Sequence, residues 1–210
     1  MKANEHIDGQ GVWRRIYSPH HGSETTRGAL FLDRDGTIIV DSPYLSDPGL
    51  VRVIPEAAIV IAAANRLAIP VVVVTNQSGI GRGYFDWPAY RAVEDAVAAA
   101  VIAAGARLDA VYACPQVPAE PAPFGRKPDP GMLTAAAAEL GLDLPASWIA
   151  GDCATDIEAG QRAGLRGGWL VPTGYGARDA AAARLLGGDG YEVIIGEPLD
   201  GLAERLVDRI

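Results

Sequence analysis

The sequence predicts an α/β fold built on a three-layer, Rossmann-like parallel sheet. The main observation is that short apolar runs alternate with longer segments of helical character along the whole chain. A second observation is the composition: 49% hydrophobic and 21% charged residues among 210 are ordinary globular values, and this length suits one domain with a sizeable core. In such a fold, helices cover both faces of the sheet and ligands bind beyond the carboxyl ends of the strands.

Six apolar runs, each short and ended by polar residues or glycine, predict buried strands. In chain order they are residues 29–32, 70–74, 110–113, 147–150, 169–171 and 192–195. The segments between them predict helices, and several carry proline in the first turn, where its missing N–H is not needed. These are residues 55–68, 88–104, 130–140, 156–163, 177–186 and 198–207. The alternation favours parallel strands with right-handed connections.

The first 27 residues look irregular, and we expect an N-terminal extension at residues 1–27 ahead of one domain at residues 28–210. Apolar side chains at Val12, Trp13, Ile16 and Tyr17 can hold part of the extension against the domain. Two loops are longer than average, residues 41–54 and residues 115–126, and the second contains four prolines. Long loops near strand ends are often functional.

The charge and the cysteine content exclude several classes of protein. A formal net charge of −8 argues against a general binder of nucleic acid or of anionic membranes. The two cysteines, Cys114 and Cys153, cannot form a disulfide framework or supply the roughly four ligands of a zinc site. The chain has no stretch of ~18 apolar residues and no apolar core of a signal peptide. We therefore expect a soluble, cytoplasmic monomer that acts on a small molecule.

Polar side chains follow several of the predicted strands. Asp33 and Asp35 follow the first strand, Thr75 follows the second, and Asp152 follows the fourth. A turn at Asp35-Gly36 is the simpler reading of that dipeptide. However, the carboxyl ends of parallel strands share one edge of the sheet, so these acidic and hydroxyl groups converge there. Lys127, just ahead of the helix at residues 130–140, adds a cation.

Phosphoryl transfer is the chemistry that these residue types support. A carboxylate such as Asp33 can act as the nucleophile and form an aspartyl phosphate, while Lys127 neutralises phosphoryl oxygens. Mg²⁺ prefers oxygen ligands, which Asp33 and Asp152 would supply. Thr75 offers a hydroxyl to the phosphate, and Asp35 is then free for proton transfer to the leaving oxygen.

Four motifs in order resemble those of the haloacid dehalogenase (HAD) superfamily phosphatases. They are FLDRDGT at residues 31–37, VVTNQSG at 73–79, RKPDPGM at 126–132 and AGDCATDIEAG at 150–160. The resemblance covers about residues 29–174. Their form is most similar to the branch that contains the heptose-bisphosphate phosphatases and the histidinol-phosphate phosphatases. The resemblance therefore implies a HAD-like fold and a phosphatase activity.

The resemblance also implies roles for individual residues. It makes Asp33 the nucleophile, Asp35 the general acid and base, and Lys127 the residue that stabilises the transferring phosphoryl group. The implied magnesium ligands are Asp33, Asp152 and the backbone carbonyl of Asp35. Asp156 would orient Lys127 or a metal-bound water.

The same resemblance assigns substrate contacts. Thr75 and Asn76 would be phosphate ligands, and Arg126 matches the branch's contact to a substrate phosphate. Asn76 can equally cap a helix. Arg82 and Tyr84 lie near these motifs in the sequence and are candidate substrate contacts, although they can equally begin or cap the following helix.

The chain departs from the branch in one respect and is short in another. The branch commonly has a zinc loop of about three cysteines and one histidine before the Arg-Lys pair, whereas here Cys114 is followed by PQVPAEPAPFG, so zinc is not expected. HAD enzymes that act on small molecules often carry a cap domain between these motifs. Thr75 comes only 42 positions after Asp33, and Lys127 only 13 after Cys114. We therefore expect no large cap domain.

The expected function is a Mg²⁺-dependent phosphatase of a small phosphorylated sugar, a heptose 1,7-bisphosphate cleaved at its 7-position. The alternative enzyme is a phosphatase of histidinol phosphate or of another small metabolite. A phosphotransferase or mutase would need a closing cap to exclude water. A non-catalytic phosphate-binding relative would usually have lost Asp33 or Asp35, and both are present.

Overall fold

In the part of the chain that the structure describes, eight strands form one sheet, which is parallel at its centre and antiparallel at one edge. The computed structural model describes residues 4–17, 27–119 and 123–207, so parts of the expected extension (1–3 and 18–26) and of the second long loop (120–122) lie outside the described residues. The spatial order is β1-β2-β5-β4-β3-β6-β7-β8. The strands are β1 (Asn4–Ile7), β2 (Trp13–Ile16), β3 (Leu30–Leu32), β4 (Val71–Asn76), β5 (Ala110–Cys114), β6 (Trp148–Gly151), β7 (Gly167–Leu170) and β8 (Glu192–Ile195).

Seven helices connect or follow these strands in the described chain. Local sequence sets several of their ends: the Asp86 side chain accepts a hydrogen bond from the N–H of Ala89 at 2.9 Å and caps α3. Gly141 and Gly164 adopt the left-handed conformation that ends α4 and α5. The helices are α1 (Pro55–Arg66), α2 (Ser78–Gly81), α3 (Trp87–Ala103), α4 (Gly131–Leu140), α5 (Ala154–Ala163), α6 (Gly176–Arg184) and α7 (Leu202–Val207).

The sheet has a hydrophobic core on each face, which gives the three layers predicted from the sequence. Successive strand residues point to opposite faces. Val71 and Val73 of β4 therefore belong to the core beneath α1 and α3, whereas Val72 and Val74 belong to the core beneath α4 and α5. The predicted α/β class, a mainly parallel sheet between two layers of helices, is confirmed.

The strand order creates a switch point beside β3. From β3 the chain continues through β4 to β5 on one side, and then returns to place β6, β7 and β8 on the other side. Leu30 of β3 pairs in parallel with Val71 on one side and with Trp148 on the other. Connections leave β3 and β6 in opposite directions, so a crevice opens at their carboxyl ends, where ligands bind in folds of this type.

The N-terminal segment differs from the irregular extension expected from the sequence. Strands β1 and β2 form an antiparallel hairpin, and β2 pairs with the edge of β5 in the register Trp13 to Ala113. Trp13 is fully buried, and the guanidinium carbon of Arg15 lies 5.0 Å from its ring centroid. Local patterns could not show this pairing because the partner strand is far away in the sequence. The domain boundary at residue 27 stays a prediction.

The intervals expected to lack a cap domain are occupied by short elements and loops. Between Asp33 and α1 the chain forms a 3-10 turn at Pro48–Leu50, and the described parts of residues 115–126 are irregular. Within the three described ranges, every helix is too short or too polar to cross a lipid bilayer.

We expect Trp13→Ala to destabilise the whole domain, because Trp13 is part of a continuous core and its removal leaves a cavity. Losses of about 3 to 5 kcal/mol are typical for such a change. Urea unfolding measures the free energy. Ile7→Ala in β1 is the control because 43% of Ile7 is exposed, and it should change the stability little. An unfolding midpoint for Trp13→Ala equal to that of the parent would show that the hairpin is dispensable for the fold.

Candidate active site

The carboxyl ends of β3 and β6 carry the two carboxylates expected after them. Asp33 follows β3, and its backbone N–H donates to the carbonyl of Ala150 in β6 at 2.9 Å. Asp152 follows β6 directly. Both side chains line a cavity of about 360 Å³ at the switch point. Parallel pairing of the two strands therefore brings the first and fourth motifs together.

Lys127 joins three elements at the bottom of this cavity. Its Nζ lies 2.6 Å from Oδ1 of Asp33 and 2.7 Å from Oδ1 of Asp156, and it donates to the carbonyl of Val74 at 2.6 Å. The lysine is only 3% exposed. Burial alone would lower the pKa of Lys127, but Asp156 and Asp33 outweigh burial and raise that pKa. The lysine is therefore a fixed positive charge in the cavity.

The acidic residues around Lys127 carry more negative charge than one ammonium group balances. Burial raises the pKa of Asp33 and Lys127 opposes the rise, while Asp156 and the other carboxylates nearby raise the pKa further. Burial, with the carboxylate of Asp156, also raises the pKa of Asp152 to about 6. Such mutual repulsion favours the binding of an additional cation.

Asn76 fixes the loop that carries Lys127. Its side-chain nitrogen donates to the carbonyl of Lys127 at 3.1 Å, and its side-chain oxygen accepts from the N–H of Lys127 at 3.0 Å. Asn76 also lines the cavity. The structure thus gives Asn76 a positioning role in addition to the phosphate contact expected from the sequence.

Gln77 contacts two of the site residues predicted from the sequence, although Gln77 itself was not predicted. Its Nε2 donates to Oδ2 of Asp35 at 2.7 Å and to Oγ1 of Thr75 at 2.9 Å. Thr75 is buried and lines the cavity with Asp35. Because residues two apart in an extended chain share one face, the position of Gln77 after Thr75 was the available signal.

Glycines leave room for the carboxylate of Asp152. A Cβ on Gly36 would lie 2.4 Å from Oδ2 of Asp152, and a Cβ on Gly174 would lie 2.0 Å from the same atom. Both glycines have positive φ, 78° and 54°. The N–H of Tyr175 donates to that oxygen at 2.9 Å. Asp152 is therefore held at a fixed position by backbone on two sides.

The donor set at this position suits a hard cation. Among the described residues, Asp152, Cys153 and Asp156 form a group that could hold a metal ion, because their ligand atoms lie within 4.8 Å of one another. However, Asp156 already contacts Lys127 and accepts from the N–H of Cys153 at 2.9 Å. Burial raises the pKa of the Cys153 thiol, so that group stays protonated and is a poor ligand. Carboxylate and carbonyl oxygens remain, the ligands that Mg²⁺ prefers.

Of the two arginines expected to contact substrate, Arg126 lines the cavity and Arg82 does not. Nη1 of Arg126 donates to the carbonyl of Gln116 at 2.8 Å. Burial lowers the pKa of Arg126, and the positive charge of Arg82 adds to this lowering. Arg82 is exposed at the end of α2 and does not line the cavity. Tyr84 is also exposed, and its ring meets Tyr44 edge-on at 4.6 Å.

Comparisons with known proteins give the class. Residues 124–190 match the HAD-hydrolase-like family model. The chain is 48% identical over 172 residues to the D-glycero-beta-D-manno-heptose-1,7-bisphosphate 7-phosphatase of Mesorhizobium japonicum, covering 77% of this chain and 76% of the relative. It is 37% identical over 163 residues to the D-glycero-alpha-D-manno-heptose-1,7-bisphosphate 7-phosphatase of Burkholderia mallei, covering 74% and 85%.

A solved structure agrees with these matches. The D,D-heptose 1,7-bisphosphate phosphatase of B. bronchiseptica, complexed with magnesium and phosphate, superposes with a TM-score of 0.75 at 33% identity. The superposition covers 87% of this chain and 99% of that one. The chain belongs to the HAD-like phosphatases, in the group that includes these relatives. It is a phosphoric monoester hydrolase, as the four motifs predicted.

We expect Gly174→Ala to weaken the binding of Mg²⁺, because the added Cβ would displace the carboxylate of Asp152 and strain a residue with positive φ. Changes beside a metal ligand typically cost about 10- to 100-fold in metal affinity. The Mg²⁺ concentration that gives half-maximal phosphatase activity measures the effect.

Gly188→Ala is the matched control, since nothing lies within 4 Å of its added Cβ and its φ is not positive. It should need the same Mg²⁺ concentration as the parent. An unchanged Mg²⁺ requirement in Gly174→Ala would contradict the placement of the metal at Asp152.

Proposed function

We propose that this phosphatase cleaves phosphate monoesters of small sugars through an aspartyl phosphate on Asp33, with Mg²⁺ as cofactor. The proposed substrate is D-glycero-D-manno-heptose 1,7-bisphosphate, from which the 7-phosphate is removed. The observation that carries the proposal is the contact between Asp33 and the buried ammonium of Lys127, with Asp35 on the same turn. The named relatives act on this bisphosphate, which supports the choice of substrate.

The residues of the chain can perform both halves of the reaction. A carboxylate oxygen of Asp33 attacks phosphorus, and the ester bond breaks as Asp35 gives its proton to the leaving oxygen. The N–H groups of Lys127 are shared by Asp33, Asp156 and the carbonyl of Val74. Lys127 therefore supplies positive charge to the phosphoryl oxygens, and the hydroxyl of Thr75 can donate to them. Asp35, now ionised, then takes a proton from water that attacks the aspartyl phosphate, which releases inorganic phosphate and restores both carboxyl groups.

Mg²⁺ fits the donor set described above. Asp33, Asp152 and the backbone carbonyl of Asp35 would hold it, and the raised pKa values of the two carboxyl groups indicate a site that gains from a cation. Bound there, the ion would supply positive charge that offsets the negative charge of the phosphoryl group.

The rim of the cavity supports a substrate with a second anionic group. Arg126 lies beside Lys127 in sequence, lines the same cavity and has a pKa lowered by burial and by Arg82. An anion bound there would offset the cost of burying the positive charge of Arg126. A cavity of about 360 Å³ is within the usual range for a small-molecule site of roughly 300 to 1,000 Å³.

We further propose a monomer in the cytoplasm. All the residues assigned to the reaction belong to one chain and line one cavity, so a second copy is not needed to complete it. Cys114 and Cys153 are free thiols, which suits a reducing compartment.

Asp33→Asn should lower the rate of phosphate release by several orders of magnitude, because it removes the attacking charge and keeps the shape. Lys127 retains Asp156 as a partner, so the fold should persist. Phosphate release under saturating Mg²⁺ measures the rate, and circular dichroism checks the fold.

Asp109→Asn controls for the loss of a buried carboxylate. Asp109 is fully buried at the opposite end of the sheet, where it accepts from the N–H of Val71 at 2.8 Å. Near-normal turnover in Asp33→Asn would exclude Asp33 as the nucleophile and leave a phosphate-binding role without catalysis.

Arg126→Ala should erode the preference for a bisphosphate over the matching monophosphate. A charge-assisted contact is worth about 1.5 to 3 kcal/mol, or roughly ten- to a hundredfold in kcat/KM. The measurement compares kcat/KM for heptose 1,7-bisphosphate, heptose 7-phosphate and histidinol phosphate in both proteins. Arg166→Ala, a half-buried arginine at the amino end of β7, is the control.

Two outcomes would count against this assignment. If histidinol phosphate is the best substrate of the parent, the chain is a phosphatase of that metabolite and the heptose proposal fails. If Arg126→Ala lowers all three values by one factor, Arg126 does not contact the distal phosphate.

A further inference from the structure

The carboxylate of Asp35 is held by its neighbour in the chain. Nη2 of Arg34 lies 3.1 Å from Oδ1 and 3.0 Å from Oδ2 of Asp35, and Nε lies 3.3 Å from Oδ1. Gln77 approaches Oδ2 from another element at 2.7 Å. Arg34 is only 1% exposed, although it lies in a turn at the edge of the sheet. A buried arginine is thus directed at the proposed general acid, away from solvent.

The rear of the Arg34 guanidinium faces α3. Nη1 of Arg34 lies 3.7 Å from Oε2 of Glu94, and the guanidinium carbon lies 5.3 Å from the ring centroid of Tyr90. The hydroxyl of Tyr90 donates to Oε2 of Glu94 at 3.4 Å. Glu94 and Tyr90, one helical turn apart, therefore enclose the arginine from the side opposite Asp35.

The buried position of Glu94 is weak evidence that this residue stabilises the fold. The residue is fully buried, and burial raises its pKa while Arg34 opposes the rise. Within the part of the chain that the structure describes, Oε1 of Glu94 and Nη1 of Arg34 have no hydrogen-bond partner. Replacing such a pair by apolar residues is often neutral or stabilising. The contact with Glu94 does hold the guanidinium of Arg34 in position beside the carboxylate of Asp35.

We propose that Arg34 and Glu94 are positioning residues that hold the carboxyl group of Asp35 towards the leaving oxygen of the substrate. Glu94 fixes Arg34, and Arg34 together with Gln77 fixes Asp35 before the substrate binds. Preorganisation of this kind matters because a small misplacement of a catalytic group costs rate. The inference rests on the proposed role of Asp35 as general acid.

Leaving groups of different acidity distinguish positioning from a general structural effect. A sugar alkoxide needs a proton as it departs, whereas p-nitrophenolate leaves without one. The experiment compares kcat/KM for heptose 1,7-bisphosphate and for p-nitrophenyl phosphate in the full-length protein with Mg²⁺, for the parent and for Glu94→Gln and Arg34→Lys. Glu94→Gln keeps the shape and removes the charge, and Arg34→Lys keeps the charge and removes the paired nitrogens.

The expected result is selective. Glu94→Gln should lower kcat/KM on the sugar phosphate about tenfold through kcat, and less than about twofold on the aryl phosphate, because a misplaced acid loses part of a contribution of roughly 10²- to 10⁴-fold. Arg34→Lys should show the same selectivity with a larger loss. Because the two residues act through one contact, the double variant should lose less than the product of the single losses. Asp109→Asn should show no selectivity.

Asp35→Asn on the same two substrates separates failure of the inference from failure of the proposed function. If Asp35→Asn lowers kcat/KM equally for the two substrates, Asp35 is not the general acid and the proposed mechanism fails. The mechanism requires Asp35→Asn to lower kcat/KM only for the sugar phosphate. If it does so, but Arg34→Lys and Glu94→Gln lower kcat/KM equally for the two substrates or leave both values unchanged, the positioning role is overturned. Should Glu94→Gln fail to fold, Arg34→Lys decides the question alone.

Discussion

The ion contacts of Lys127 are the interaction on which the rest of the site depends. One buried ammonium joins Asp33 after β3, Asp156 in α5 and the carbonyl of Val74 in β4. Buried charges cost several kcal/mol each unless they are paired, and loss of one partner leaves the others uncompensated. The strand order that places β3 between β4 and β6 is what brings these groups together. The position of Asp33, the proposed nucleophile, therefore follows from the strand order of the sheet.

The residues that hold Asp35 in place belong to a second set of contacts, which extends from Arg34 through α3 to strand β2. Tyr90, which contacts the guanidinium of Arg34, packs edge-on against Trp13 of β2 with ring centroids 5.2 Å apart. Trp87 of α3 also contacts Tyr90, at 5.6 Å. The N-terminal hairpin thus covers the aromatic residues that enclose the arginine. A segment outside the parallel core therefore packs around residues that support Asp35, the proposed general acid.

The sequence could predict what local patterns and motif order encode. The six parallel strands were visible as apolar runs. The four motifs identified Asp33, Asp35 and Asp152 after strands and Lys127 ahead of a helix. The hairpin was missed because its stability comes from pairing with β5, and short four-residue strands carry little signal of their own. Glu94 did carry a signal: it lies in the buried stripe of α3 with Tyr90, Val93 and Val97, where a carboxylate is out of place unless it is paired. The partner of Glu94, Arg34, could not be predicted because the two residues are far apart in the sequence.

The charges that line the cavity couple the binding of a cation to the binding of an anionic substrate. Among the described residues, its lining has five carboxylates, Asp33, Asp35, Asp41, Asp152 and Asp156, against the two cations Arg126 and Lys127. A phosphate ester that carries two negative charges would be repelled by such a lining, and the repulsion is strong where burial lowers the local dielectric. A divalent cation removes most of that penalty. Binding of the cation and of the substrate must then be coupled, and linkage requires each to raise the affinity for the other by the same factor. The acidic lining thus makes the affinity for a doubly charged phosphate ester depend on the divalent ion, and the affinity for the ion depend on the ester.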